Sequence, residues 1–110
     1  MAKFCLVVNS AAKPGRAGEY SAWCHAQHFP DILRVPGVVS VKRYKAMMTS
    51  PEDQDRFMTI IELDCDDPRE VMQEFVRRNG TADMPRSDSY DPASVSITPV
   101  ELESECGIMT

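Results

Sequence analysis

The stretch WCHAQHFPDILRVPGVVSVKRY, residues 23 to 44, gathers the side chains of this chain best able to do chemistry. It holds both histidines, the single tryptophan, Cys24 and the pair Arg43-Tyr44. His28 leads. An imidazole takes or gives a proton near neutral pH, the central need of an isomerase or a cyclase. It lies one turn after Cys24, beside the apolar face of a helix and just ahead of Pro30. The plainer account makes it a structural histidine, hydrogen-bonded at a chain break. His25 sits about 60 degrees away around the same helix and is expected in solvent. Cys24, His25 and His28 offer a metal at most three ligands, and no fourth is evident, so no metal is expected.

Arg43 and Tyr44 are consecutive on an extended segment, so they point to opposite faces. A guanidinium suits a carboxylate or an enolate. The plainer expectation for Arg43 is an ion pair with Glu62 or Asp64 on the adjacent strand. Tyr20 and Trp23 recur at helical spacing with Cys24 and His28. Such a stripe reads first as core and second as the wall of a cleft. Tyr90, in RSDSYDP, puts a phenol on a long polar loop, where it donates to a ligand if the loop closes. The plainer account is a solvated loop. Asp88 beside it suits an arginine. The candidate site is therefore His28 as acid or base, with Tyr20, Trp23, Cys24, Arg43, Tyr44 and Tyr90 around a substrate.

Other motifs subtract possibilities. Cys65 is flanked by Asp64, Asp66 and Asp67, whose carboxylates raise a thiol pKa and argue against a reactive thiolate. The same DCDD run lacks the glycine and glutamate of an EF-hand. No Gly-rich phosphate loop, GxSxG, HExxH or Walker pattern occurs, so no cofactor is expected. The four cysteines form no CxxC pair, which leaves reduced thiols in a cytoplasmic protein as the expectation.

Periodicity supplies the elements that must hold these groups. KFCLVVN (residues 3 to 9) is a β-branched apolar run of strand length. Pro14-Gly15 marks a turn, and a helix follows over 17 to 28. Pro30 is expected to break it and start a second short helical segment, which Pro36-Gly37 ends. VVSVKRYKAM (38 to 47) reads as a strand, MTSPEDQD as a polar connection and RFMTIIELDC (56 to 65) as an alternating strand. DDPREVMQEFVRRNG gives the clearest helix, 68 to 79, with Asp67 as cap, Pro68 at its first position and Asn79-Gly80 as stop. A polar loop over 80–92 is long enough for a lid or arm. VSITPVELE reads as the last strand, and Pro99 suits an edge or a bulge. The order β-α-β-β-α-β is the ferredoxin-like arrangement. It is an α+β fold, a four-stranded antiparallel sheet with two helices on one face. The other face is left bare, and a second copy of the chain is its natural cover.

The 110 residues suit a single domain, 1–110, ending in a short C-terminal tail. A net charge of -5 argues against nucleic acid or an anionic membrane as partner. No apolar run is long enough to cross a bilayer, and the N-terminus lacks the run and cleavage site of a signal peptide.

The pattern GEYSAWCHAQHFPDILRVPGVVSVKRY resembles the front half of the EthD-like branch of the dimeric α/β-barrel superfamily. The resembling features are Tyr20 and Trp23, His28-Phe29-Pro30, Pro36-Gly37 and Arg43-Tyr44. FMTIIELDCDDPREVMQEF is similar to the family's third strand and second helix. The resemblance implies two subunits joined sheet to sheet into a barrel, each with a ligand cleft between sheet and helices. It matches His28 to the cleft histidine that some members use as acid or base. The superfamily includes isomerases, cyclases and monooxygenases. The function expected is cofactor-independent acid–base chemistry on an apolar or aromatic-derived metabolite, by isomerisation, cyclisation or lactone rearrangement. The alternatives are a non-catalytic ligand-binding or accessory protein and a cofactor-free monooxygenase.

Overall fold

The structure, a computed structural model, describes residues 4–47, 50–51 and 55–108. Strand β1 (Phe4–Ala11) leads through the Pro14-Gly15 turn into helix α1 (Ala17–Trp23). A π-helical turn (Cys24–His28) joins α1 to α2 (Phe29–Leu33). Strands β2 (Val38–Lys45) and β3 (Arg56–Leu63) follow, then helix α3 (Pro68–Arg78) and strand β4 (Ser96–Glu101). The sheet order is β2-β3-β1-β4, with each neighbouring pair antiparallel. This is the ferredoxin-like arrangement, with the helical layer on one face. The polar connection expected at 48 to 55 lies mostly outside the described residues. Among the described residues no helix is long and apolar enough to cross a membrane.

The break expected at Pro30 does not occur. The backbone stays right-handed helical through Trp23, His28 and Phe29 and on to Leu33. The reason is the π turn. The Phe29 N–H bonds back five residues to the Cys24 carbonyl instead of four. That inserted residue relaxes the turn on which the proline ring would otherwise clash, and proline brings no donor to satisfy. The run then ends in the Pro36-Gly37 turn, where Gly37 has φ +96. A Cβ there would meet Val71 at 3.1 Å and Cys65 at 3.5 Å, so only glycine lets the turn pass under α3.

Helix α3 forms much as its sequence implies. The Asp67 side chain accepts from the Arg69 N–H, Pro68 follows the cap, and Gly80 (φ +83) carries the chain away. Its Val71 and Phe75 pack on Leu6, Ile61 and Leu63 of the sheet and on Ile32 of α2. Leu6 and Leu63 are wholly buried, and burying each is worth about 1.5–3 kcal/mol. The loop over 80–92 is more than a polar connector. Met84 enters this core and Ser89 is buried. Tyr90 bridges to Ala12, and a 3-10 turn at Pro92–Ser94 leads into β4.

A bulge in β2 matters for everything below. Val38 pairs with Leu63, but Ser40 pairs with Glu62, so one extra residue enters between them. Side chains alternate strictly along a strand, so one inserted residue exchanges the two faces. Beyond the bulge, Val41 and Arg43 face the helices, while Lys42 and Tyr44 face away. Arg43 therefore does not reach Glu62. Lys42 takes that carboxylate, at 2.9 Å.

Candidate ligand cavity between the helices and the sheet

The helical layer does not seal the sheet. Between them lies a cavity of about 150 Å³. Its floor is Leu6, Val8 and Ser10 of β1, Thr59 and Ile61 of β3, and Arg43 of β2. Tyr20, Trp23, Cys24 and His28 wall it from the first helical run, and Tyr90 from the long loop. Val76 of α3 and Ile97 of β4, both exposed, form its rim.

Four aromatic rings make one stacked wall. Trp23 lies nearly parallel to His28, with ring centroids 4.7 Å apart. Tyr90 stacks on Trp23 at 5.8 Å and packs on Tyr20 at 5.4 Å. Offset stacking at such distances adds to the area buried. The π turn is what brings His28 under Trp23. In an undistorted helix residues five apart lie about 140 degrees apart, whereas a wider turn brings them closer together.

His28 is mostly buried, and its Nδ1 is buried without a hydrogen-bond partner. Desolvation lowers its pKa from 6.5 to about 4, with nearby Asp31 opposing and Arg43 adding to the shift. The ring is neutral at pH 7, as a general base must be. Asp31, itself buried, is already engaged by Gln27 at 3.0 Å and by an ion pair to Arg34. It accepts no bond from His28.

Arg43 lies between two rings, its guanidinium carbon 3.9 Å from the Phe57 centroid and 4.6 Å from that of Tyr20. It donates to Cys24 Sγ and Ser21 Oγ, both at 3.4 Å. Burial pushes the Cys24 thiol and the Tyr20 phenol up, so both stay neutral. The Tyr20 hydroxyl donates to Ser10 Oγ at 2.8 Å. No aspartate or glutamate is among the described residues lining the cavity.

The structure thus brings His28, Tyr20, Trp23, Cys24, Arg43 and Tyr90 to one cavity. It does not bring Tyr44, which lies exposed on the opposite face in a shallow hollow with Asn9, Arg56 and Met58. His25 is exposed. Asp88 meets an arginine, Arg16, at 2.8 Å, which ties the long loop to the start of α1. Sequence reasoning missed Ser10, Phe57 and Thr59. The alternation of β3 carried the signal for the last two, because Phe57, Thr59 and Ile61 share one face. Ser10 lies just past the apolar run of residues 3 to 9, where the sequence implies a loop, but β1 continues through it to Ala11.

No protein-family model matches the sequence, and no curated protein does. Solved structures do match. An EthD family protein of Bacillus halodurans superposes with a TM-score of 0.55 at 15% identity, over 89% of this chain and 97% of its own. The chain has the ferredoxin-like fold of that protein. An antibiotic biosynthesis monooxygenase-like protein of Bordetella bronchiseptica gives 0.57 at 16% identity, over 99% and 100%. The heme-degrader MhuD of Mycobacterium tuberculosis, with two hemes in its active site, gives 0.56 at 14% identity, over 94% and 99%. At these identities the likeness is one of fold. The present cavity does not fit a porphyrin. Its about 150 Å³ equals a space known to hold a single benzene ring, and drug-sized ligands fill about 300–1,000 Å³.

Proposed function

We propose that the protein is a small cofactor-independent enzyme in which neutral His28 moves a proton on an apolar or aromatic-derived metabolite. Isomerisation, cyclisation and lactone rearrangement all need only that. The observation that carries the proposal is the buried, unpartnered Nδ1 of His28 on a cavity wall. Leaving such an atom unsatisfied costs about 1–3 kcal/mol, and a ligand that draws the ring toward the cavity would recover it. The apolar walls strengthen the field of Arg43 on negative charge that forms as the proton leaves.

Deuterium uptake from D2O, followed by NMR over a panel of small enolisable compounds, tests this whatever the natural substrate is. The protein should speed exchange at carbon in at least one of them. His28→Ala should remove that acceleration, about 10²–10⁴-fold, while circular dichroism stays unchanged. A panel with no acceleration, or an equally active His28→Ala, overturns the assignment.

A second outcome is favoured by the likeness to the monooxygenase-like protein. The carbanion that His28 forms would then reduce O2. A CH2 group becomes C=O, and the second oxygen atom leaves as water with the two hydrogens. Oxygen consumption distinguishes this from isomerisation.

We further propose that the protein works as a cytoplasmic homodimer. Val7, Tyr44, Met58, Ile60 and Val100 give the uncovered sheet face an apolar character. Tyr44, Met58 and Val100 are among the exposed large apolar side chains. A contiguous patch of this kind wants a cover, and two-fold pairing supplies one. The four cysteines are free, which suits a reducing compartment.

A further inference from the structure

Arg43 differs from every other arginine of the chain. Arg16, Arg34, Arg69, Arg77 and Arg78 each hold a carboxylate. Arg56 and Arg86 hold none among the described residues, but both are exposed to water. Arg43 is partly buried, lines the cavity, and has no carboxylate partner among the described residues. Its two hydrogen bonds go to neutral groups, Cys24 Sγ and Ser21 Oγ, at 3.4 Å. A nitrogen–oxygen bond of that length is weak. The faces of Tyr20 and Phe57 return part of the cost by cation–π attraction. That leaves most of the five N–H donors of a partly buried guanidinium without a protein acceptor among the described residues.

With His28 neutral and no acid among the described residues of the lining, Arg43 contributes the one formal charge among them. We infer that the cavity selects a small monoanion: an aromatic or conjugated carboxylate, its charged end on Arg43 and its apolar body against Trp23 and Tyr90. This rests on the cavity being the ligand site proposed above, and names the class of ligand. The size agrees, since about 150 Å³ accommodates one six-membered ring. The chemistry agrees too, because a carboxylate takes two parallel N–H donors from a guanidinium, and such charge-assisted bonds are about twice as strong as neutral ones. The net charge of -5 does not oppose this at short range. Beyond about 8 Å it is screened at physiological ionic strength, whereas the cavity charge acts at contact.

Trp23, the single tryptophan, is a built-in reporter on the cavity wall. Its fluorescence would be titrated with benzoate, with the isosteric neutral benzamide, and with benzylammonium. Benzoate should bind more tightly than benzamide by about tenfold or more, and benzylammonium should be the weakest. Arg43→Met should lose the preference while still binding benzamide, and Arg43→Lys should keep a preference for the anion. Equal affinities in the wild-type protein overturn the inference, and so does a preference that survives in Arg43→Met. Failure of all three probes to bind the folded protein at millimolar concentration also overturns it. The wild-type comparison decides alone if Arg43→Met does not fold. Deuterium exchange reads proton transfer and these titrations read anion selection, so the failure of one is distinguished from the failure of the other.

Discussion

The two faces of the sheet are built from alternate residues of the same strands, yet they behave as different materials. On the helix side Leu6, Thr59, Ile61 and Leu63 are buried, and the guanidinium of Arg43 is held between aromatic rings. On the other side Lys42 is paired with Glu62, which also accepts from Ser40 at 2.9 Å. Hydrogen bonding and the attraction of the ammonium hold the Glu62 carboxyl below its ordinary pKa, and the pair sits at the surface. A surface pair is worth about 0–1 kcal/mol and asks for nothing more. A partly buried cation with no carboxylate partner among the described residues asks for a ligand. The lesson is that pairing and burial, not residue type, separate the two charges.

The comparison can be broken first at the open face. Val7→Glu places a carboxylate where two sheets would meet, with Ile60 and Thr98 rather than a cation across from it, and an unpaired buried charge costs about 3 kcal/mol or more. The dimer should weaken some hundredfold or more, to monomer at micromolar concentration in sedimentation, with helical circular dichroism intact. A monomeric wild-type protein, or a variant that stays dimeric, would show that this face is not the interface.

The helix side is sharpened by acid. His28 in the folded protein protonates only near pH 4, whereas in the unfolded chain it does so near 6.5. The unfolded state therefore binds more protons in this window. Stability from the neutral, buried ring is complete above pH 6.5 and is lost as pH falls through about 4, by roughly 3 kcal/mol. Urea unfolding at pH 7 and pH 4.5 should show this loss, and His28→Gln should show less of it. An identical acid dependence in both proteins would contradict the buried placement.

The smallest effect is at Tyr20. Tyr20→Phe removes only the hydroxyl that donates to Ser10 and keeps the ring over Arg43. A loss of about 1 kcal/mol is expected, since Ser10 is left buried without that donor. Benzoate preference should be unchanged, because the charge and its aromatic support remain.

Much of this molecule is written locally. The alternation of Phe57, Thr59, Ile61 and Leu63, the cap at Asp67 and the stop at Gly80 each act over a few residues, so the order of elements and the ferredoxin-like sheet were legible. The aromatic stripe of α1 was legible for the same reason. Three decisions were not local. Pro30 announced a break, but the π turn ahead of it carried the helix on and set His28 against Trp23. The 80–92 loop looked polar, but Met84 and Tyr90 are drawn in by apolar surface contributed from distant parts of the chain. The faces of Arg43 and Tyr44 were known to be opposite, but which faced the cleft depended on one bulged residue near Val39. Sequence by itself determined the period of each element, because side-chain periodicity follows from backbone geometry. Only the tertiary structure decided register, and with it which charge stands in the cavity, because register is chosen by packing against other strands and helices rather than by the strand itself.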